Sequence, residues 1–276
     1  MLKTRVITAL ALMALLLPSL FYLSQAAWAF VVAGFIGIAA WEWGALLGKS
    51  SLGRVMLGVV TALICAAISQ IDPNAIGAGD TNMPYRPWVF WAYGISAIFW
   101  CLVMPLWLKY KWSLSGVGGI LVGAVVLLPT WLAMVQLRAL GPGVLLGIFA
   151  VVWVADIAAY FSGKAFGKHK LAPSISPGKT WEGAIGAAIG VVVYGVVMRQ
   201  FFALELMSLP VWVAALLAIT VVSIIGDLYE SLLKRKAGIK DSSNILPGHG
   251  GVLDRVDSLT STLPVVALAW LVFSIR

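Results

Sequence analysis

Charged side chains are scarce in this sequence: they make up 11% of its 276 residues, with only 11 Asp and Glu among them. A soluble globular chain carries about 25% charged residues. Together with 61% hydrophobic residues and a mean hydropathy of +0.98, this scarcity excludes a separate soluble domain of ordinary size. Cysteine is nearly missing too. Cys65 and Cys101 both sit inside apolar runs without partners at metal-ligand spacing, which excludes a disulfide framework and a zinc site and leaves them as small buried hydrophobes. No apolar run shows the period-two alternation of a barrel strand, so the spanning segments must be helices, whose backbone satisfies its own hydrogen bonds in lipid. Repeats, low-complexity tracts and long linkers are lacking as well, so the chain reads as one membrane-embedded unit over residues 1–276.

What is present is a series of apolar runs, each near the roughly 20 residues that a bilayer-crossing helix needs. They predict an all-α, polytopic helical bundle of about nine transmembrane helices, over 6–26, 28–47, 55–71, 88–108, 115–136, 143–162, 183–202, 210–228 and 259–275. The basic start MLKTR runs straight into the first of these, with no small-residue cleavage pattern and polar mature domain behind it, so a retained helix is expected rather than a signal peptide. Placing the N-terminus in the cytoplasm puts 15 of the 19 Lys and Arg on that side, all but Arg86, Arg138, Arg199 and Arg276, which predicts an N-in, C-out topology. The start also fits a bacterial cytoplasmic membrane better than an organelle. The net charge of +8 then follows from orientation and anionic ligands, and no nucleic-acid partner is expected. The stretch from Asp72 to Pro87 reads as a plain connector. Small-residue pairs such as Gly44 with Gly48, Gly119 with Gly123, Gly143 with Gly147 and Gly186 with Gly190 serve helix packing, inside the bundle or across a dimer.

Acidic residues collect late in the chain: Asp156, Glu182, Glu205, Asp227, Glu230, Asp241, Asp254 and Asp257, of which only Glu205 falls on the outer side. Glu42, Asp156 and Asp227 lie in the cytoplasmic halves of predicted helices, where an ionisable group is costly unless it faces a polar cavity or a partner. They predict a cytoplasm-facing polar cavity, or else each pairs with Lys or Arg to fix helix packing. Two cytoplasmic segments face the expected cavity. Gly163–Gly183 combines four lysines with Ser174, Ser176, Thr180 and Glu182, a composition that suits a fixed loop for a phosphate-rich ligand. Ser231–Ser258 carries Lys234, Arg235 and Lys240 as cations for polyphosphate, Gly248, Gly250 and Gly251 for close backbone approach, and Asp254 with Asp257 as oxygen ligands for a hard divalent cation. His249 either orients a phosphate or acts as an acid, or it hydrogen-bonds its own loop into shape. His169 reads as part of a solvated face.

The run Ser231, Lys234, Arg235, Lys240, Asp241, Ser243, Leu246, Pro247, His249, Gly250, Gly251, Asp254, Arg255 and Asp257 resembles the full signature of the phosphatidate cytidylyltransferase (CDP-diacylglycerol synthase) family. Upstream, DIAAYFSGKAFGKHKLAPSISPGKTWEG and GDLYES resemble it too. The resemblance is strongest from Asp156 to Ser258, and the N-terminal half matches only as a membrane bundle. It implies a scaffold over 1–140 and a catalytic part over 141–276, with the signature at 231–257 on short cytoplasmic catalytic loops. It further implies an enzyme that makes CDP-diacylglycerol and pyrophosphate from CTP and phosphatidic acid in a lipid membrane, with Mg2+ required and K+ as a second, monovalent cation. The residues matching Asp227 and Asp254 are associated with metal in that family, and those matching Ser231 and Lys234 lie at the same site. On this basis Asp227, Asp254, Asp257 and Asp156 are expected at metal, Lys234, Arg235, Asp254 and Ser231 at the catalytic centre, and Lys179, Ser176, Lys240, His249 and Arg255 at substrate. A homodimer enters through the resemblance and the glycine pairs.

Two other functions compete. A CTP-dependent kinase of a lipid alcohol shares the Lys-Arg and Lys-Asp pattern beside a membrane. A transporter with Glu42, Asp156 and Asp227 along an ion path predicts carboxylates spread across the bilayer and two similar halves, neither of which the sequence has. An alcohol phosphotransferase is disfavoured because its DGxxAR-type helix motif is missing.

Overall fold

The computed structural model of the protein describes residues 2–79, 86–201 and 207–274. Glu205, Arg276 and positions 80–85 of the expected connector lie outside the described residues. Among the described residues nine helices are long and apolar enough to cross a membrane. They are α1 (Leu2–Tyr22), α2 (Gln25–Leu46), α3 (Ser51–Ile71), a span Pro87–Tyr110, α6 (Gly116–Ala139), α7 (Pro142–Phe166), α8 (Trp181–Phe201), α9 (Leu209–Lys236) and α10 (Leu253–Ser274). The span Pro87–Tyr110 consists of α4 (Pro87–Ile98), a π-helical turn (Phe99–Val103) and α5 (Met104–Tyr110). Pro105 has no N–H to continue the α-ladder, and the N–H of Met104 reaches back five residues to the Phe99 carbonyl.

Two departures from the expected boundaries bear on the site. Helix α9 runs eight residues beyond the predicted end at 228, and α10 starts six residues before 259. The apolar run stops where Asp227 begins a polar face, but Leu228, Tyr229, Leu232 and Leu233 on the opposite face stay buried, so burial carries the helix on. Much of the expected loop signature is therefore helical. The segment Gly163–Gly183 is likewise not a loop: it holds the end of α7, an antiparallel hairpin of β1 (Lys170–Ala172) and β2 (Ser176–Thr180), and the start of α8.

The centre of the bundle is α2 and α6, with Trp28, Val32, Ile36 and Trp43 against Val126, Leu127, Trp131 and Val135, all buried. Against this centre pack α3 and α10, and α10 in turn holds α9. Pro264 in α10 leaves the Thr260 carbonyl without its helical donor, and the Thr130 hydroxyl of α6 donates to it at 3.3 Å. Gly186 and Gly190 serve internal packing: a Cβ at Gly186 would lie 1.8 Å from Ser162 Oγ, and one at Gly190 2.8 Å from Ala158 Cβ of α7. Cys65 is buried as expected, whereas Cys101 is exposed on the outside of the bundle.

At the end of the bundle away from the lysine-rich loops, Arg138 is nearly buried and does more than mark orientation. Its Nε donates to the Leu20 carbonyl at 3.0 Å, Nη1 to Gln25 Oε1 at 2.9 Å, and Nη2 to the Leu23 carbonyl, so it caps the end of α1 and ties it to α2 and α6. Gln25 in turn donates to the carbonyls of Ile76 and Val135, both at 2.7 Å. The described part of the expected plain connector is thus packed, with Ala75 and Ile76 buried. Arg138→Leu should cost about 3 kcal/mol, because it strips charge-assisted bonds and leaves buried carbonyls unpaired. A thermal melt in detergent checks this, and a shift of under 1 °C would contradict it.

Candidate functional site

The last turns of α9 place Asp227, Glu230, Ser231 and Lys234 at positions i, i+3, i+4 and i+7, which share one helical face. The first turns of α10 present Asp254 and Asp257, three residues apart. Where the two faces meet, Lys234 Nζ lies 2.6 Å from Asp254 Oδ1 and 3.2 Å from Glu230 Oε2. This triad is withdrawn from solvent, with side-chain exposures of 14% for Lys234 and 5% for each carboxylate. Asp254 Oδ2 accepts from the Ser242 N–H at 2.8 Å, the Ser242 hydroxyl at 2.9 Å and the Gly251 N–H at 2.8 Å. Gly250 has φ +80, a conformation suited to glycine, and a Cβ there would lie 2.6 Å from Asp254 Oδ2.

A second ion pair comes from the hairpin. Lys179 of β2 places Nζ 2.5 Å from Asp227 Oδ2, and the Ser231 hydroxyl donates to Asp227 Oδ1 at 3.4 Å. The hairpin is held from both sides: the Trp181 N–H donates to the His169 carbonyl at 2.9 Å, and Glu182 Oε1 meets His169 Nδ1 at 2.7 Å. His169 is exposed as expected, but its ring has this partner. Beside the Lys179–Asp227 pair a cavity of about 430 Å3 opens between α7, α8, α9 and the hairpin, with Asp156, Lys164, Lys179, Asp227, Ser223 and Ser258 in its wall. Asp257 feels the charges of Asp227 and Asp156 and touches Glu230, so the two ion pairs form one electrostatic unit.

The expected residues do not all converge. Asp156 and Asp227 share the cavity, and Asp227 also makes the lysine pair that the packing alternative required. Glu42 is not in that cavity: it is fully buried against the 242–253 segment and its partners are hydroxyls and backbone N–H groups. Arg235, Lys240 and Arg255 are exposed, with Arg255 close enough to Asp156 to act on its charge. Ser176 is half-buried in β2 and is not in the cavity wall. His249 stands in a tight turn closed by its N–H to the Leu246 carbonyl at 2.8 Å, and its Nδ1 is buried without a hydrogen-bond partner among the described residues. Glu230 and Ser242 were not singled out from the sequence as site residues. The helical spacing of Glu230 with Asp227 and Lys234 could have found the first; no local signal marks Ser242.

Among the described residues no three His, Cys, Asp or Glu side chains stand so that they could hold a metal by themselves. Mg2+ is more often held by one or two carboxylates with substrate phosphates completing its shell. Five carboxylates, Asp156, Asp227, Glu230, Asp254 and Asp257, are set here against Lys179, Lys234 and Arg255, and Glu230 Oε1 is buried with no hydrogen-bond donor among the described residues. That donor set fits a substrate-completed divalent cation.

These features define a class: a multi-pass membrane protein with a charged site, built from helix ends and a hairpin, at one end of its bundle. The pattern of the cytidylyltransferase family matches residues 3–273. A phosphatidate cytidylyltransferase of Pseudomonas aeruginosa is 41% identical over 98% of this chain and 97% of its own length. That of Haemophilus influenzae is 34% identical over 96% of each. That of Brucella suis is 51% identical over 46% of each chain. The chain belongs to the cytidylyltransferase family and is an enzyme of that type.

Proposed function

We propose that this protein transfers the cytidylyl group of CTP to phosphatidic acid, giving CDP-diacylglycerol and pyrophosphate in phospholipid biosynthesis. The observation that carries the proposal is the Lys179–Asp227 ion pair in the wall of the cavity that also holds Asp156, with a second ion pair, Lys234–Asp254, whose lysine shares the face of α9 that carries Asp227. An anionic lipid phosphate oxygen attacks the α-phosphorus, the new P–O bond forms, and the bond to the β-phosphate breaks. The attacking oxygen is already anionic, so the task is to bring two repelling anions together and to stabilise the leaving pyrophosphate. Lys179 and Lys234 supply positive charge, and each is kept in place by a carboxylate until phosphate competes for it. Ser231, next to Asp227, supplies a hydroxyl to that carboxylate. Arg235, Lys240 and Arg255 are exposed, and their positive charge draws in the polyanion.

Asp227, Asp254, Asp257 and Asp156 would hold Mg2+, which supplies Lewis-acid stabilisation of the phosphoryl charge. The excess of carboxylates over cations also suits a second, monovalent ion such as K+. In this reading the site faces the cytoplasm of a bacterial inner membrane, with the N-terminus inside and the C-terminus outside. The 15-to-4 Lys and Arg asymmetry supports that orientation. The homodimer rests on the family resemblance and on the open space at Gly48 and Gly143, whereas Gly119, Gly123, Gly186 and Gly190 each face a neighbouring side chain of the same chain.

The test is CTP labelled at the α- or γ-phosphorus, given to purified protein in detergent with phosphatidic acid, with and without Mg2+. Metal-dependent α-label in the lipid with γ-label leaving as pyrophosphate is the expected result. Lipid carrying only γ-label would mean a lipid kinase, and no transfer of either label would remove the enzyme reading.

A further inference from the structure

Glu42 is a fully buried carboxylate on α2 with no cation in contact among the described residues, yet four donor groups converge on it. Oε1 accepts from the Ser243 hydroxyl at 2.5 Å and the Val252 N–H at 3.0 Å, and Oε2 accepts from the Leu253 N–H at 2.6 Å and lies 3.2 Å from Ser242 Oγ, whose one proton it shares with Asp254 Oδ2. The N–H groups of Val252 and Leu253 begin α10, and Gly251 and Val252 have no side-chain oxygen to cap them, so the cap comes from a different helix. A buried anion at a helix N-terminus is stabilised by the partial positive charge there. Ser242 then joins this cap to Asp254: its single hydroxyl lies 3.2 Å from Glu42 Oε2 and 2.9 Å from Asp254 Oδ2. With Oδ2 occupied by three donors, Oδ1 of Asp254 is the oxygen turned toward Lys234.

We propose that Glu42 is a positioning residue for cytidylyl transfer: acting through Ser242 and the first N–H groups of α10, it sets the rotamer of Asp254 and with it the placement of Lys234. This rests on the reading of Asp254 and Lys234 as the reactive site. A residue that merely packs α2 against α10 would alter stability and leave the turnover of the folded fraction unchanged. A positioning residue alters kcat, because misplacing the charge costs transition-state stabilisation more than ground-state binding.

The experiment measures kcat, KM for CTP and thermal stability for Ser242→Ala, Ser243→Ala, Glu42→Gln and Asp254→Asn of the full chain in detergent. Ser242→Ala, which keeps the backbone bonds to Glu42 and Asp254 but removes the hydroxyl that bridges the two carboxylates, should lower kcat about tenfold or more while KM moves less than about threefold. Ser243→Ala, which removes a bond to the same carboxylate but none to Asp254, should lower stability similarly and kcat several-fold less. Glu42→Gln should lower kcat further, since an amide has one acceptor oxygen for the four donors. If Glu42→Gln does not fold, the two serine variants decide. Equal kcat for Ser242→Ala and the wild type, or equal losses for both serine variants, would overturn the positioning role while inactive Asp254→Asn upholds the site. Active Asp254→Asn would overturn the site reading itself.

Discussion

Replacing Lys234 by methionine should abolish turnover and destabilise the fold at the same time. The ammonium group lies between Glu230 and Asp254, at 3.2 and 2.6 Å, and the charge of Asp257 acts on Glu230 as well. Methionine fills the volume but leaves buried carboxylates facing one another without a cation, and removing one partner of a buried ion pair costs about 3–5 kcal/mol. Turnover should fall by about 1,000-fold, the order seen when a donor aimed at developing charge is removed. The two effects separate in a double variant. Lys234→Met with Glu230→Gln removes one negative charge and should recover most of the lost melting temperature, while turnover stays lost. Recovery of both would mean that Lys234 serves only to neutralise Glu230. Wild-type melting of the single variant would mean that the triad is far more hydrated than its burial indicates.

Gly251→Ala should be nearly as damaging, although it adds one methyl group. A Cβ there would lie 2.1 Å from Ser242 Oγ and 2.2 Å from Glu42 Oε1, distances at which a neighbour must move. Ser242 can turn away only by releasing Asp254, and Glu42 only by uncapping α10. Overpacking alone costs about 1–3 kcal/mol, and turnover should fall at least tenfold with it. Gly238 is the contrast. It has φ +71 with open space around its Cβ position, and it ends α9 with the Ile239 N–H bonded to the Lys234 carbonyl. Gly238→Ala should cost about 1 kcal/mol from left-handed backbone strain and leave turnover near wild type. Melting curves and the label-transfer assay read both variants, and equal behaviour of the two would contradict the account of Gly251.

These expectations share a cause in the way the site is assembled. It lies where the end of α9, the start of α10, the end of α7 and a hairpin come together, with polar contacts joining the hairpin to α9 and α8 and joining α9 to α10. The transporter alternative predicts carboxylates along the bilayer depth. Instead Asp156, Asp227, Glu230, Asp254 and Asp257 gather at one end of the bundle, and Glu42 is used up in capping a helix.

The sequence alone determined the class and the number of spans, because the length and hydropathy of a run are local properties and lipid allows helices alone to satisfy them. It also located the signature, but with the helix expected to end at 228 it did not put Asp227, Glu230, Ser231 and Lys234 on one helical face, which they share because α9 runs on to Lys236. The sequence misplaced the ends of α9 and α10, where charge interrupts the apolar run but burial of the opposite face keeps the helix going. Tertiary structure alone decided which charges meet. The partners of Lys179 and Lys234 lie 48 and 20 residues further on, and Ser242 and Glu42 are 200 residues apart. No periodicity spans such separations. The packing of α2 against α10 sets the distances, and with them it turns Glu42 from an expected cavity carboxylate into the cap of the helix that carries Asp254.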